Sequence, residues 1–108
     1  MSSEYTPWKI LSATASAGVL TEGWNLAEPS ADSETCRQFT LFVPFAFPFS
    51  APPVVQAGLT GFDMDQSTSA RLSLTVGNIS AEGFELTFTT WQDTLVYAAE
   101  VGWLAVGP

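Results

Sequence analysis

"RLSLTVGNISAEGFELTFTTW", residues 71–91, decides the fold. In its first six residues Leu72, Leu74 and Val76 alternate with Arg71, Ser73 and Thr75, the period-two pattern of a strand with one apolar and one polar face. The glycine-bounded stretch "GNISAEG" (77–83) reads as a connection. Beyond it the alternation resumes, with Phe84, Leu86 and Phe88 on one side and Glu85, Thr87, Thr89 and Trp91 on the other. Trp91 breaks the polarity of its own face.

Outward from this unit the chain stays strand-like. "LVYAAEVGWLAV" (95–106) is apolar at both parities, as expected of a strand covered on both sides by another sheet or another chain. Upstream, "FTLFV" (39–43) and "VVQAGLTGF" (54–62) are two further strands, separated by "PFAFPFSAPP" (44–53), whose prolines prevent a regular ladder. "WKILSATA" (8–15) is compatible with a strand, whereas "NLAEPSADSETC" (25–36) has turn composition. Seven prolines and eight glycines leave no room for long 3.6-period segments. Five to seven short strands without repeats or a separable linker predict an all-β antiparallel β-sandwich, a single domain over residues 1–108.

Hydrophobic residues make up 46% of the 108-residue chain and charged residues 13%, a balance that excludes a disordered polypeptide. A chain of this length buries roughly two-thirds of its unfolded surface, enough for an autonomous core. The formal net charge of -8 repels phosphate backbones and anionic lipid alike, so neither nucleic acid nor membrane insertion is expected. The start "MSSEYTPWKI" lacks the basic-then-apolar order of a signal peptide, and no apolar run reaches the ~20 residues of a spanning helix. The expectation is a soluble chain, cytoplasmic as made, with later release or surface association left open. Cys36 is the only cysteine and histidine is absent, so neither an internal disulfide nor a zinc site is expected, and no cofactor is implied. Asn78-Ile79-Ser80 matches a glycosylation sequon but stands without a secretory signal.

Catalytic constellations are sparse. Without histidine, the usual serine and cysteine nucleophile systems cannot be built, and the chain is not expected to be an enzyme. Asp63 and Asp65, two apart, would share one face of an extended segment as a cation site or glycosidase pair; a solvated strand end explains them as well. Cys36 beside Arg37 reads either as an activated thiol or as an inert loop residue. Phe42, Phe45, Phe47 and Phe49 read as core or subunit interface in preference to an exposed adhesive surface. Trp91, Tyr97 and Arg71 remain. A sugar ring has an apolar C–H face and a hydroxyl rim, and a site for it needs an aromatic platform with a few fixed hydrogen-bonding groups. This trio supplies both, while Trp91 in the core and Arg71 in solvent is the competing reading.

The motifs around these residues carry a resemblance. Pro52-Pro53-Val54-Val55, Phe62-Asp63-x-Asp65-Gln66-Ser67, the arginine five positions after Gln66, Gly83-Phe84, Thr90-Trp91, Thr94-x-Val96-Tyr97 and the closing Trp103 fall together in register. They resemble the H-type lectin domain, the family of the snail agglutinins and the carboxy-terminal domain of the discoidins. The likeness runs without a gap from Arg37 to Gly107, and Gly23-Trp24 is similar to the family's early Gly-Trp, with about one residue deleted before Arg37. The resemblance implies a six-stranded antiparallel β-sandwich that assembles as a trimer, in some members a hexamer. It implies binding of galactose and N-acetylgalactosamine glycans in clefts between protomers.

By the same resemblance the sugar-binding arginine falls on Arg71, the tryptophan on Trp91 and the tyrosine on Tyr97. The acid that accepts from ring hydroxyls falls on Glu34, with Asp32 in the same loop as its competitor. Gln92 stands where the snail agglutinins carry a sugar-contacting histidine; an amide donates and accepts as a neutral imidazole does. The family's cysteine pairs are absent, so a hexamer would form without an inter-trimer disulfide. The alternative function is a trimeric structural or adhesion module that keeps the fold without the sugar.

Overall fold

The structure, a computed structural model, describes residues 8–29 and 36–108. Six strands are present: β1 (Lys9–Gly18), β2 (Arg37–Pro44), β3 (Val54–Met64), β4 (Ser73–Gly77), β5 (Gly83–Thr90) and β6 (Val96–Gly107). They form two three-stranded antiparallel sheets in the orders β1-β6-β3 and β2-β5-β4. No helix occurs among the described residues, and none is long and apolar enough to cross a membrane.

β5 and β6 are central in their sheets, and their inward side chains make the core. Phe84, Leu86 and Phe88 from β5 face Ala99, Val101, Trp103 and Ala105 from β6, all at or below 8% exposure. The aromatic rings interlock: Phe84 meets Trp103 edge-on at 5.2 Å between centroids, and Phe45 meets Phe49 at 5.0 Å. Each buried large side chain stabilises the fold by roughly 1.5–3 kcal/mol relative to exposure. The alternation seen in residues 84–91 therefore sets both the strand and the side it buries.

The structure refines three expectations. One face of β6 packs on the core, while Glu100 and Leu104 on its other face are exposed: β1 and β3 flank it in the same layer and no second sheet among the described residues lies above it, which leaves only another chain as the expected cover. The phenylalanine run splits. Phe45 and Phe49 are buried, but Phe42 is 54% exposed on the outward parity of β2 and Phe47, between Pro44 and Pro48, is 67% exposed. The predicted strand at 71–76 is shorter, with Arg71 and Leu72 ahead of β4.

Two glycines are demanded by close approach. A Cβ at Gly83 would lie 2.5 Å from the Val43 carbonyl oxygen, and one at Gly18 would lie 2.7 Å from that of Tyr97. Gly83 lets β2 and β5 close beneath the β4–β5 connection, and Gly18 lets β1 end against the first turn of β6.

Candidate functional site

Strands β5 and β6 are joined by residues 91–95, and this turn is the most heavily bonded polar feature at its end of the sandwich. Gln92 has a φ of 57°, the left-handed region that residues with a Cβ seldom occupy. Thr94 is fully buried; its hydroxyl donates to the Ser69 carbonyl at 2.6 Å and accepts from Arg71 Nη1 at 3.0 Å. The Thr90 hydroxyl donates to the Arg71 carbonyl. The segment 69–71 is thereby stapled to both ends of the turn, which fixes where the Arg71 side chain starts.

Arg71 Nη1 also donates to Asp93 Oδ1 at 3.0 Å, forming an ion pair whose side chains are 23% and 69% exposed. A pair this accessible contributes about 0–1 kcal/mol to stability, so its importance is orientational. Nε and Nη2 of Arg71 bond to nothing among the described residues, which leaves donors free for an incoming acceptor.

Trp91 and Gln92 line an open depression of about 590 Å³ with Cys36, Ser73 and Thr89, on the outer side of β2-β5-β4. Tyr97 lines a different groove, of about 450 Å³, with Gly18, Leu20, Phe62, Asp63 and Glu100 at the end of β1-β6-β3. Both fall within the roughly 300–1,000 Å³ usual for small-ligand sites. The structure thus brings Arg71 to the Trp91–Gln92 turn but gives Tyr97 to the opposite sheet. Tyr97 belongs to β6, which lies in the other sheet from β5, and a register slip between Asp63 and Met64 leaves it without a cross-strand partner on β3. A larger concavity, about 880 Å³ over Thr14, Gly58 and Gly102, is a flat stretch of outer sheet without charged groups and offers a sugar no fixed ion. Glu34 and Asp32 lie outside the described residues.

The remaining candidates fall elsewhere. Asp65 follows β3, where its carboxylate accepts from the Ser67 amide at 2.9 Å and hydroxyl at 2.8 Å. The amide bond first, and then the hydroxyl bond, hold its pKa below the ordinary aspartate value of 3.8 against a small opposing desolvation. That geometry is a turn cap, and Asp63 opens instead onto the Tyr97 groove. No group of three metal-ligating side chains is formed among the described residues. Cys36 is exposed while Arg37 is buried, so the two point to opposite sides of β2.

Sequence reasoning missed Asp93, Thr94 and Arg37. Asp93 was legible as the acid two residues after Trp91; the roles of Thr94 and Arg37 depend on contacts between segments distant in the chain.

A family model, the H-type lectin domain, matches residues 40–106. The chain belongs to the H-type lectin domain family. A protein of Fuscovulum blasticum described as ATP synthase subunits region ORF 7 is 39% identical to this H-type lectin domain over 71 residues, 66% of this chain and 62% of that one. Two structures of discoidin II from Dictyostelium discoideum, recombinant and wild-type, superpose on the H-type lectin domain with TM-scores of 0.75 and 0.76 at 24% identity. They cover 94% and 95% of this chain, which spans 38% of each discoidin II chain. At that identity the likeness establishes the shared β-sandwich.

Proposed function

We propose that residues 1–108 act as a single H-type lectin domain that binds galactose-type sugars, N-acetylgalactosamine included, reversibly and without making or breaking a bond. The observation that carries this reading is Arg71, held by Asp93 and Thr94 beside the turn that bears Trp91 and Gln92, with Nε and Nη2 free to donate. An axial C4 hydroxyl aimed at Arg71 distinguishes galactose from glucose. A sugar lacking that contact leaves buried polar groups unpaired, at roughly 1–3 kcal/mol. Trp91 supplies the apolar platform, Gln92 reads the acetamido group, and the hydroxyl-accepting carboxylate is Glu34 or Asp32, with Asp93 now a third contender because it already pairs with Arg71.

The site completes itself between protomers of a trimer or hexamer. Two features support this: Trp91 and Tyr97 open onto different sheets of one protomer, and the outer face of β1-β6-β3 exposes Ile10 (67%), Val54 (63%) and Leu104 (38%). An apolar sheet face of this kind is what a second copy would cover. Several weak sites on one assembly would raise avidity by two or more orders of magnitude on a dense glycan surface.

Calorimetric titration with N-acetylgalactosamine, galactose and glucose tests the reading, with Arg71→Ala alongside. Binding of the two galacto sugars but not glucose, lost in Arg71→Ala, is expected. Heat with none of them would favour the trimeric structural or adhesion module, for which Gln92 in place of the family's histidine is the favouring observation.

A further inference from the structure

Of the two arginines, Arg37 is the one the fold buries, at 8% exposure. Among the described residues no carboxylate pairs with it. Its guanidinium instead donates to four backbone carbonyls: Nη1 to Leu26 at 3.2 Å and Glu28 at 2.7 Å, Nη2 to Gln92 at 2.9 Å and Thr94 at 2.6 Å. Nε is buried without a partner. A charge is costly to bury, and among the described residues the oxygens that compensate it belong to two loops.

The two loops are those of the proposed sugar site. One is the 91–95 turn, in which Gln92 is held at a φ of 57°. Such a conformation persists in a non-glycine residue where surrounding contacts over-determine it, and Arg37 bonds the carbonyl of that very residue. The other loop runs from Leu26 to Glu28 and returns to Arg37 itself, so a single side chain ties both ends of the segment that contains Asp32 and Glu34. Arg37 sits opposite Thr90 on the last rung of the β2–β5 ladder, directly ahead of Trp91, a rigid base from which to reach both loops.

We propose that Arg37 is a positioning residue: without touching the sugar, its guanidinium holds the Trp91–Gln92 turn and the Leu26–Glu28 segment in the geometry that binds it. The inference rests on the sugar-site reading above. The planar fork is essential to it, because two parallel pairs of acceptors must be met from one plane. A lysine, with three donors on a single point, cannot span both loops.

The test compares the native protein with Arg37→Lys and Arg37→Met, below the melting temperature of each. Amide hydrogen exchange is read over 91–95 and 26–28, and affinity for N-acetylgalactosamine and galactose by calorimetry. The expected result is exchange at least tenfold faster in both loops, with the β5 amides Phe84–Phe88 unchanged, and affinity weaker by roughly tenfold to a hundredfold. Arg37→Lys keeps the charge and most of the volume, so it carries the test should Arg37→Met fail to fold. Native protection of the turn in Arg37→Lys, or native affinity despite loosened loops, would overturn the proposal and leave the sugar site standing. If the native protein itself takes up neither sugar, the underlying reading falls and takes the binding role of Arg37 with it.

Discussion

The interior between β5 and β6 and the rim around residues 91–95 lie only a few residues apart in the chain, yet they are built on opposite principles. Between the central strands the contacts are apolar and aromatic, interchangeable in kind and dependent on volume. At the rim they are directional: Thr90, Thr94, Arg71 and Arg37 each bond a particular backbone or carboxylate oxygen. Stability resides in the first region and, on the proposed reading, recognition in the second, so the two should fail separately.

The sharpest way to break that division is Phe88→Ala, which empties a fully buried position. We expect destabilisation of about 3–5 kcal/mol in denaturant titration, with sugar affinity unchanged in the fraction that stays folded. A variant that kept its stability would mean that the core is not where the fold is held. Arg71→Ala is the converse. Binding should fall by roughly a hundredfold or more, because a charged donor is lost from the site, while the melting temperature moves little given the exposed ion pair it breaks. A large drop in melting temperature would show the rim to be part of the core after all.

Gln92→Gly sharpens the comparison by a smaller step. Glycine tolerates the φ of 57° at Gln92, so stability should rise by about 0.5–1 kcal/mol while discrimination for the acetamido group declines. Equilibrium unfolding and titrations with N-acetylgalactosamine against galactose would show whether the two changes oppose each other. The smallest effect belongs to Asp65. Its folded pKa lies below 3.8, so whatever its turn bonds contribute is fully present above that value and is lost as pH falls through the folded pKa. Ser67→Ala, which removes the hydroxyl bond, should raise the Asp65 titration midpoint observed by NMR towards 3.8.

Legibility followed the same division. Phe84, Leu86 and Phe88 announced themselves because a strand alternates sides at every residue, and burial followed that parity in β5 from Phe84 to Thr90. Among the phenylalanines of 42–49, Phe42 follows the alternation of β2 and points outward, whereas beyond Pro44 only the neighbouring strands decide that Phe45 and Phe49 are enclosed and Phe47 is not. Arg71 could be singled out as a candidate from its motif, but its partner Asp93 is 22 residues away in sequence and is met only through the turn. Arg37 was legible as a charge and illegible as a brace, since its acceptors lie on backbones up to 57 residues distant.

The period-two alternation, the scattered prolines and glycines and the lack of histidine are local properties of the chain, and by themselves they determined an all-β protein with a polar, aromatic-tipped strand end at Trp91. Family motifs in register named the residues to watch. Only the tertiary structure decided that one face of β6 is exposed among the described residues, that Trp91 and Tyr97 open onto different sheets, and that one arginine is paired with Asp93 at the rim while the other is buried against four carbonyls. The physical reason is that periodicity assigns a residue to a side of its own strand, whereas hydrogen-bond partners and cavities belong to pairs of segments whose juxtaposition exists only after the sheets have closed.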